Sequence, residues 1–397
     1  MRMNQGVEVS VVLPCLNEAE TIAICITKAQ KSFSLLGITG EIVVVDNGST
    51  DSSQKIAQDL NAKVVEVGLK GYGSALLAGF RVARGKYIIM ADADDSYSLD
   101  NLELFIRDLR NGSDLVMGNR FAGTIHKGAM PWLHRYIGNP LLSFIGRLFF
   151  KSEIRDFHCG IRGLNRDKAL ALNLQTLGME FASELVVKAI LAKYKITEVP
   201  TDLKPDGRSR APHLKTWRDG WRHLRFLLSY SPKWLFFYPG VLLTTLGLIG
   251  VAFLMPGQKE VFGVRFDLQT LIYFAFILIT GTQLIWFALL SSASSVSKGF
   301  LPLETKYESM FRLARNELFY VFYLILVLIG VSIVLHQSYN WISSSFGELN
   351  PSQVVRLSLL GGITTFVGFQ ALISHFLLSI VTMGTDLKPK SNEVYLQ

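Results

Sequence analysis

Carboxylate and amide side chains follow directly after three short apolar segments in the first quarter of the chain. Asn17 and Glu18 follow the first segment, Asp46 follows the second, and Asp92 and Asp94 follow the third. Carboxylates that converge on one crevice repel one another unless a cation is bound there, and a set of oxygen ligands favours Mg²⁺ or Mn²⁺. Because such ions commonly bind together with a phosphate, these residues predict a metal and phosphate site.

The segments that carry these residues alternate between strand and helix patterns. The strand patterns cover 7–13, 41–45, 63–67, 87–91 and 115–117, and the helical patterns cover 19–34, 52–61, 72–84 and 99–110. This alternation predicts an α/β domain with a mostly parallel sheet. Ligands of such sheets bind beyond the carboxyl ends of the strands, where the polar residues stand.

Four segments, taken together, resemble the family 2 glycosyltransferases of GT-A fold, and more narrowly the polyprenyl-phosphate (dolichol-phosphate type) sugar synthases. They are Val11–Glu18 (VVLPCLNE), Val43–Asp51 (VVVDNGSTD), Met90–Asp95 (MADADD) and 208–228. The resemblance covers residues 7–240, and it is the set that is specific, since an isolated pair of aspartates is common in turns. It implies a GT-A, Rossmann-like domain that binds a nucleotide-sugar donor.

The resemblance also implies roles for single residues of the donor site. Asp92 and Asp94 match the DxD motif, which holds a divalent metal, Mg²⁺ or Mn²⁺, on the donor diphosphate. A loop that closes over the donor phosphates in the family corresponds to residues 206–210. The residues that we assign to nucleotide-sugar binding beside Asp92 are Pro14, Asn17, Glu18, Asp46, Asn47, Asp51, Lys70, Arg208 and Arg210.

Three features of this chain bear on the donor site. Asn47 stands where a second Asp is common in the family, and Ser96 stands where many dolichol-phosphate mannose synthases have Gln. The second departure leaves the donor sugar open, and either Asp95 or Ser96 could complete the metal shell. Residues 71–73 (GYG), which follow Lys70, lack the third glycine and the Walker lysine of nucleotide loops, so no dinucleotide cofactor is expected.

The acceptor side is predicted from arginines. Arg120 and Arg155 resemble the phosphate-contacting arginines of the family, and a guanidinium binds two phosphate oxygens with parallel hydrogen bonds. A lipid monophosphate is already deprotonated near pH 7 and needs no general base, so we assign Asp156 to orientation and interpret His158 as structural. Asp94, Arg120, Arg155 and Asp156 form the predicted catalytic group.

Two segments are predicted to lie at a membrane surface. Residues 130–150 are apolar but interrupted by Arg, Asn and Pro, which is typical of an interfacial helix or hairpin, with a core helix as the alternative. Residues 214–233 form an amphipathic helix that places aromatic rings at headgroup depth beside arginines that contact lipid phosphates. Its membrane-contacting residues are Trp217, Arg218, Trp221 and Arg222. Directly before a membrane span, such a basic face indicates lipid and not nucleic acid.

The last part of the chain predicts a membrane domain. The runs 234–255, 268–290, 318–335 and 357–381 contain no Lys, Arg, Asp or Glu. About 20 apolar residues are enough for a helix to cross ~30 Å of hydrocarbon, so an all-α region of four transmembrane helices is expected. The predicted organisation is a GT-A domain over 1–213, an interfacial helix over 214–233 and a transmembrane domain over 234–390.

The loops between the runs predict the orientation. The second connection carries Lys298, Lys306, Arg312 and Arg315, and the tail carries Lys388 and Lys390. By the positive-inside rule, these loops and the GT-A domain are cytoplasmic. The beginning of the chain lacks the apolar stretch of a signal peptide, and three cysteines without zinc spacing suit a reducing compartment. We expect an integral protein of a bacterial or archaeal plasma membrane in preference to the endoplasmic reticulum.

The second and fourth runs share a short pattern. Gly281-Thr282-Gln283 and Gly368-Phe369-Gln370 each precede a Leu-Leu-Ser by about ten residues. The match indicates a duplicated hairpin, with coincidence as the alternative.

These features together predict a membrane hexosyltransferase that moves one sugar from a UDP- or GDP-sugar to undecaprenyl or dolichyl phosphate with inversion. Two alternatives are a transferase that acts on a hydroxyl-bearing glycolipid, which needs a base, and a non-catalytic scaffold or flippase partner, which would be expected to have lost the aspartates. A processive polysaccharide synthase is disfavoured because that group resembles sequences with a Gln-x-x-Arg-Trp motif. No Arg-Trp pair occurs in this chain. The lipid bilayer is an expected partner, nucleic acid is not, and the sequence is compatible with a homo-oligomer.

Overall fold

The computed structural model describes residues 6–209, 216–298, 301, 312 and 315–383. Arg210 and the basic tail, both used in the sequence predictions, lie outside these residues. The chain divides into two compact units, Met1–Leu227 and Leu228–Gln397, and each is described by itself.

The first unit is built on a seven-stranded sheet. Its strands are β1 (Val9–Cys15), β2 (Gly40–Asp46), β3 (Lys63–Glu66), β4 (Tyr87–Met90), β5 (Leu115–Asn119), β6 (Arg162–Asn165) and β7 (Ile196–Pro200). Its helices are α1 (Ile22–Leu36), α2 (Ser53–Asp59), α3 (Tyr72–Val82), α4 (Glu103–Arg110), α5 (Asn139–Phe150), α6 (Arg166–Ala171), α7 (Phe181–Leu191) and α8 (Thr216–Ser229). The helix α8 crosses the boundary between the two units.

The strand order is β3-β2-β1-β4-β6-β5-β7. All neighbours are parallel except that β6 runs antiparallel to both β4 and β5. The prediction of a mostly parallel sheet is therefore confirmed. The chain winds outward from β1 in one direction to β2 and in the other to β4, so a crevice opens at the carboxyl ends of these three strands.

Side chains of the central strands alternate between two hydrophobic cores. In β1, Val11 and Leu13 pack in the core that also contains Phe33 of α1, and Val12 packs on the opposite face of the sheet, in the core that contains Phe80 of α3. Alternation with a period of two is what a strand buried on both faces requires. The two cores fix the strand ends on which the crevice is built.

A buried arginine fixes the loop that leads into β6. Arg162 is fully buried and donates hydrogen bonds to the carbonyl oxygens of Phe157 (3.1 Å), Cys159 (2.9 Å) and Ala182 (2.7 Å). The first two carbonyls belong to the loop and the third to α7. Because buried carbonyls need partners, one guanidinium holds both elements in place.

The second unit has four helices that are long and apolar enough to cross a membrane, as predicted. The spans are Lys233–Leu254, Leu268–Ser297, Leu318–Ser343 and Pro351–Thr382. The first begins with a π-helical turn, Lys233–Phe237, and continues as α9 (Tyr238–Leu254). The others are α10 (Leu268–Ser297), α11 (Leu318–Ser343) and α12 (Pro351–Thr382).

Helices α9 and α10 form one hairpin and α11 and α12 form a second, closed by corresponding glycines. A Cβ atom added to Gly247 would lie 2.5 Å from the backbone nitrogen of Leu278, and one added to Gly330 would lie 2.5 Å from that of Thr365. Only glycine permits such close approach of two helices, which is a common packing device in membranes.

The second helix of each hairpin also contributes a glycine to the close contact. A Cβ atom on Gly281 would meet the backbone of Thr244 at 2.3 Å, and one on Gly368 would meet that of Val327 at 3.0 Å. Thr244 precedes Gly247 by the same interval as Val327 precedes Gly330. The two hairpins thus share one packing register, which favours duplication over coincidence.

The second helices of the two hairpins pack against each other through equivalent residues. The side-chain nitrogen of Gln370 donates to the side-chain oxygen of Gln283 at 2.5 Å. Each glutamine is the third residue of its Gly-x-Gln pattern. A contact between equivalent positions is what a pseudo-twofold axis between two parallel repeats produces.

Replacing Gln283 and Gln370 by Leu, singly and together, tests this contact. A hydrogen bond between helices in a membrane contributes about 0.5–2 kcal/mol, so the two changes should be coupled by that amount. The measurement is the free energy of unfolding of the full-length protein in mixed micelles. Gln269→Leu, whose side chain bonds to Tyr273 of the same helix, is the control. Strictly additive effects would contradict the shared contact.

Candidate active site

The crevice at the ends of β1, β2 and β4 contains a carboxylate with hydrogen-bond partners on only one of its two oxygens. One oxygen of Asp46, Oδ2, accepts hydrogen bonds from the backbone of Gly48 and Ser49 (3.0 Å each) and from Gln54 (2.8 Å). Burial raises the pKa of Asp46, but these hydrogen bonds outweigh it and lower the pKa overall. Its other oxygen, Oδ1, is buried without a partner among the described residues. This oxygen is available to a donor group of a ligand.

Neighbouring residues predicted to bind the nucleotide hold the crevice together. Asn17 accepts a hydrogen bond from the backbone of Thr50 at 2.7 Å. Asp51 accepts from the backbone of Ala19 at 3.1 Å and from the hydroxyl of Ser53 at 2.5 Å. These bonds join the loop after β1 to the loop after β2.

Asn47 ties a third loop to the same edge. Its side chain donates to the carbonyl of Leu69 at 2.9 Å and accepts from the backbone of Gly71 at 2.6 Å. Lys70, between them, is exposed, and Pro14 at the end of β1 is half-buried. Asn47 therefore ties the backbone on both sides of Lys70 to the edge of the crevice. The side-chain amide of Asn47 is itself hydrogen-bonded to that backbone.

Asp92 and Asp94, just beyond β4, form a pair of adjacent carboxylates. Asp92 accepts a hydrogen bond from the hydroxyl of Tyr72 at 3.1 Å, and Asp94 accepts from the hydroxyl of Ser96 at 2.6 Å. Burial, together with the negative charge of Asp94, raises the pKa of Asp92 to about 6. A cation bound between the two would offset the repulsion that contributes to this rise.

Asp95 and Ser96 take different positions. The carboxylate of Asp95 forms an ion pair with Lys28 at 2.5 Å, whereas Ser96 donates to Asp94 through both its hydroxyl and its backbone. Of the two candidates for completing a metal shell, Ser96 is therefore the one bonded to the DxD pair.

Arg208 supplies the positive charge that the pair lacks. Its guanidinium lies 2.9 Å from Asp94 and 2.9 Å from Glu18, and its side chain is only 11% exposed. The loop around it is docked by backbone, since Gly207 donates to the carbonyl of Asp94 at 2.9 Å. The loop that carries Arg208 thus forms a direct ion pair with the DxD pair, and its association with the donor stays a prediction.

The described residues fit a metal that arrives with its substrate. No group of three or more His, Cys, Asp or Glu side chains in the described part of the chain could hold an ion alone. Asp92 and Asp94 offer two carboxylates, and Mg²⁺ in nucleotide sites is commonly held by one or two carboxylates, substrate phosphates and water. The guanidinium of Arg208 on Asp94 shows that the pair accepts a cation.

Two neighbours of the DxD pair were not identified from the sequence. Tyr72 was not among the predicted site residues, and its bond to Asp92 depends on how α3 packs on the sheet. A Cβ atom on Gly160 would lie 2.3 Å from an oxygen of Asp92, so only glycine leaves room for that carboxylate. A long-range contact of this kind leaves no signal in the local sequence.

Arg120 and Asp156 form a buried ion pair. The guanidinium donates to both carboxylate oxygens, at 2.7 and 2.8 Å, and the backbone nitrogen of Arg120 adds a third bond at 3.1 Å. Asp156 is fully buried and Arg120 is 8% exposed. The geometry supports orientation of Arg120 by Asp156, because this carboxylate is already bonded on both oxygens.

Arg155 points elsewhere than Arg120. Its side chain is exposed, while its backbone nitrogen donates to Glu198 at 2.9 Å. It lines a cavity of about 770 Å³ together with Arg147 of α5. Arg147 was not among the predicted site residues. Phe121, Pro140, Ser152 and Glu153 complete the lining. Two arginines thus line one cavity beside α5.

His158 lies in a buried chain of hydrogen bonds. Its Nε2 atom is 3.1 Å from the hydroxyl of Ser183, which is 2.9 Å from Nδ1 of His223 on α8. Burial lowers the pKa of His158 well below its ordinary value and that of His223 to about 4, so both rings are neutral. This arrangement matches the structural interpretation of His158.

The predicted interfacial helices expose apolar and basic side chains. Trp217 and Trp221 of α8 are 81% and 58% exposed, and Arg218 and Arg222 flank the buried carboxylate of Asp219. The segment 130–150 folds as a π-helical turn followed by α5, whose exposed face includes Leu141, Phe144 and Leu148. A core helix would bury this face, whereas an interfacial helix would expose it, and the interfacial interpretation stays a prediction.

Comparison with known families and curated proteins identifies relatives over most of the chain. Residues 10–171 match the glycosyl transferase family 2 model, and residues 289–382 match the glycosyltransferase family 2 C-terminal transmembrane region. The low-salt glycan biosynthesis hexosyltransferase Agl6 of Haloferax volcanii is 34% identical over 93% of this chain and 88% of its own length. Glycosyltransferase AglJ of the same organism is 30% identical over 71% of this chain and 92% of its own.

More distant similarities cover about half of the chain. A dolichol-phosphate mannosyltransferase of Pyrococcus furiosus is 28% identical over 49% of this chain and 55% of its own length. Among solved structures, glucosyl-3-phosphoglycerate synthase from Mycobacterium tuberculosis, with Mn²⁺, UDP and glucosyl-3-phosphoglycerate, is 22% identical, with a TM-score of 0.44 over 56% of this chain and 79% of that one. Given the family matches, the parallel sheet with its DxD pair and the four apolar helices, the chain belongs to the membrane glycosyltransferases of family 2, with a GT-A domain followed by a transmembrane region.

Proposed function

We propose that this chain transfers a single hexose from a UDP- or GDP-sugar to a polyprenyl phosphate, undecaprenyl or dolichyl, with inversion at the anomeric carbon. The observation that carries the proposal is the cavity of about 770 Å³ that Arg147 and Arg155 line beside α5. Two guanidiniums suit a phosphate, and the exposed apolar face of α5 suits the lipid that bears it. The name of one relative, a dolichol-phosphate mannosyltransferase, agrees with this acceptor class, and the name of another, a hexosyltransferase, agrees with transfer of a hexose.

The donor would bind in the crevice at the ends of β1, β2 and β4. The free oxygen of Asp46 would accept a hydrogen bond from the base or ribose, and Asp92 and Asp94 would hold Mg²⁺ or Mn²⁺. When bound, the ion would neutralise the diphosphate leaving group. Arg208 is a cation already paired with Asp94, so a donor diphosphate offers its guanidinium an alternative partner within the same site.

The acceptor phosphate would attack the anomeric carbon from the face opposite the leaving nucleotide, which gives inversion. A phosphate with a second pKa near ~6 is ionised at neutral pH and needs no base. The site agrees, because Asp156 is held by Arg120 on both oxygens and His158 is neutral and bonded to Ser183. A hydroxyl-bearing glycolipid acceptor would need a proton acceptor, which neither residue is arranged to supply.

The location follows from the same proposal. We assign the GT-A domain to the cytoplasmic face of a bacterial or archaeal plasma membrane, where nucleotide sugars are available. The exposed tryptophans and arginines of α8 would lie in the headgroup layer of that face.

The first test is sugar transfer by the full-length protein in detergent, with labelled UDP- and GDP-sugars and C55 or dolichyl phosphate. Transfer should require Mg²⁺ or Mn²⁺, and Asp94→Asn should lower it by about 10²-fold or more, because the leaving group loses its charge compensation. Asp95→Asn removes a neighbouring carboxylate that pairs with Lys28, and it should retain most activity. Equal loss in both variants, or a retained anomer in the product, would contradict the proposed mechanism.

The arginine-lined cavity can be tested separately from the donor site. Arg147→Ala and Arg155→Ala should each raise the KM for polyprenyl phosphate about tenfold to a hundredfold with little change in the KM for the donor, because a charge-assisted hydrogen bond is lost. Arg155→Lys should recover only part of the effect. Arg110→Ala, which breaks an exposed ion pair with Glu8, is the matched control. A rise in the donor KM alone would assign these arginines to the other substrate.

The space at Gly160 gives a prediction about the metal. The methyl group of Gly160→Ala would displace Asp92, so the affinity for Mn²⁺ in the presence of UDP or GDP should fall about tenfold or more. The measurement is Mn²⁺ titration followed by electron paramagnetic resonance. Gly220→Ala, where a Cβ atom meets nothing within 4 Å, should leave the affinity unchanged. Unchanged affinity in Gly160→Ala would show that Asp92 does not contact the ion.

A further inference from the structure

The second membrane hairpin contains a polar cavity that the transferase reaction does not use. It lies between the end of α11 and the start of α12 and has a volume of about 520 Å³, within the range of small-molecule sites. None of the described residues that line it is Asp, Glu, Lys or Arg. Its polar lining residues are Ser332, His336, Gln337, Asn340, Asn350 and Gln353.

The lining includes an amide that faces the cavity. Gln337 is only 9% exposed, and it lines the cavity together with the amides of Asn340, Asn350 and Gln353. An amide side chain both donates and accepts hydrogen bonds. A ligand that also donates and accepts would therefore match this lining.

The first hairpin shows that packing does not require these polar residues. Counting along α9 and α11 from Gly247 and Gly330, the residues that correspond to Ser332, His336 and Gln337 are Ile249, Phe253 and Leu254. Leu254, the counterpart of Gln337, is fully buried. The duplicated hairpin therefore ends in apolar residues in one copy and in polar residues in the other. Binding of a polar ligand by the second copy would explain this difference.

The cavity lies at the membrane surface opposite the one at which the chain enters α9. Arg356, near the start of α12, donates hydrogen bonds to the carbonyl of Leu254 at the end of α9 and to Asp267 at the start of α10. Both hairpins thus turn at the same surface. Tyr339 and Trp341, both exposed, lie at the end of α11, as is typical of residues at headgroup depth.

We propose that this cavity binds the uncharged, hydroxyl-rich headgroup of a glycolipid at that surface. Amide side chains donate and accept hydrogen bonds at once, as sugar hydroxyls do, and the lack of charged groups disfavours a phosphate or an ammonium group. The exposed Tyr339 and Trp341 at the same end of α11 indicate headgroup depth, so the tail of a lipid bound there would remain in the membrane. The site is independent of the donor and acceptor assigned to the GT-A domain.

Photolabelling of the full-length protein in nanodiscs tests the site. The probe is an alkyl β-glucoside that carries a diazirine in its chain, and labelled peptides are mapped by mass spectrometry. Labelling should fall within residues 332–357 and should be competed by octyl β-glucoside but not by an alkyl phosphocholine or an alkyl tetraethylene glycol ether. Equal competition by all three would identify a nonspecific lipid groove and overturn the proposal.

The variants replace polar lining residues of the cavity by their apolar counterparts in the first hairpin. Gln337→Leu, alone and together with Ser332→Ile and His336→Phe, should lower competable labelling by about tenfold, since each lost hydrogen bond weakens binding severalfold. Thermal stability and sugar transfer by the GT-A domain should not fall. Ser338→Leu, beside the cavity and bonded only to Val334 of its own helix, is the control. Unchanged labelling in the Gln337 variants would overturn the proposal.

Two further competitors identify the source of the headgroup. Competition by a polyprenyl-phosphate hexose indicates the product of the proposed reaction after it has crossed the membrane. Competition by a diacylglycerol hexoside indicates another glycolipid. Either result supports a carbohydrate site, and failure of both contradicts it. Because the readout is labelling and not transfer, a failed site leaves the proposed transferase activity untouched.

Discussion

The concentration of negative charge at the carboxyl ends of β1, β2 and β4 is the constraint on which the first unit depends. Asp92 and Asp94 stand together, and burial and the negative charge of Asp94 both raise the pKa of Asp92. Arg208, which follows more than a hundred residues later, compensates this charge and is held there by backbone bonds of its own loop. In the proposed reaction, the loop, the metal and the donor diphosphate would therefore interact with one another through a single pair of carboxylates.

On the proposed acceptor side, one arginine is fixed by the fold and two are not. Asp156 holds Arg120 by both oxygens, and Arg162 joins the loop around Asp156 to α7 through three carbonyl groups. Arg147 and Arg155 remain at the edge of an open cavity. A rigid buried pair next to these arginines would suit the proposed acceptor phosphate, since positioning there would cost little further ordering.

The membrane unit shows how a duplicated element can diverge. The glycines that close each hairpin are in register, and the contact between Gln283 and Gln370 lies where equivalent helices meet. Close helix packing restricts these positions in both copies. The ends of the hairpins are under no such restriction, and there one copy is apolar while the other is polar around Gln337.

The sequence by itself determined the features that depend on local pattern: alternating strands and helices, the DxD motif at a strand end, four apolar spans and the amphipathic α8. The short strand β6 was missed because its direction is set by pairing with β4 and β5 and not by its own four residues. Only the tertiary structure decided that Asn47 and Asp51 bond to neighbouring loops, that Tyr72 and Gly160 border Asp92, and that Arg147 faces the same cavity as Arg155. These contacts join residues far apart in the chain, and their energies depend on distances that no local periodicity encodes.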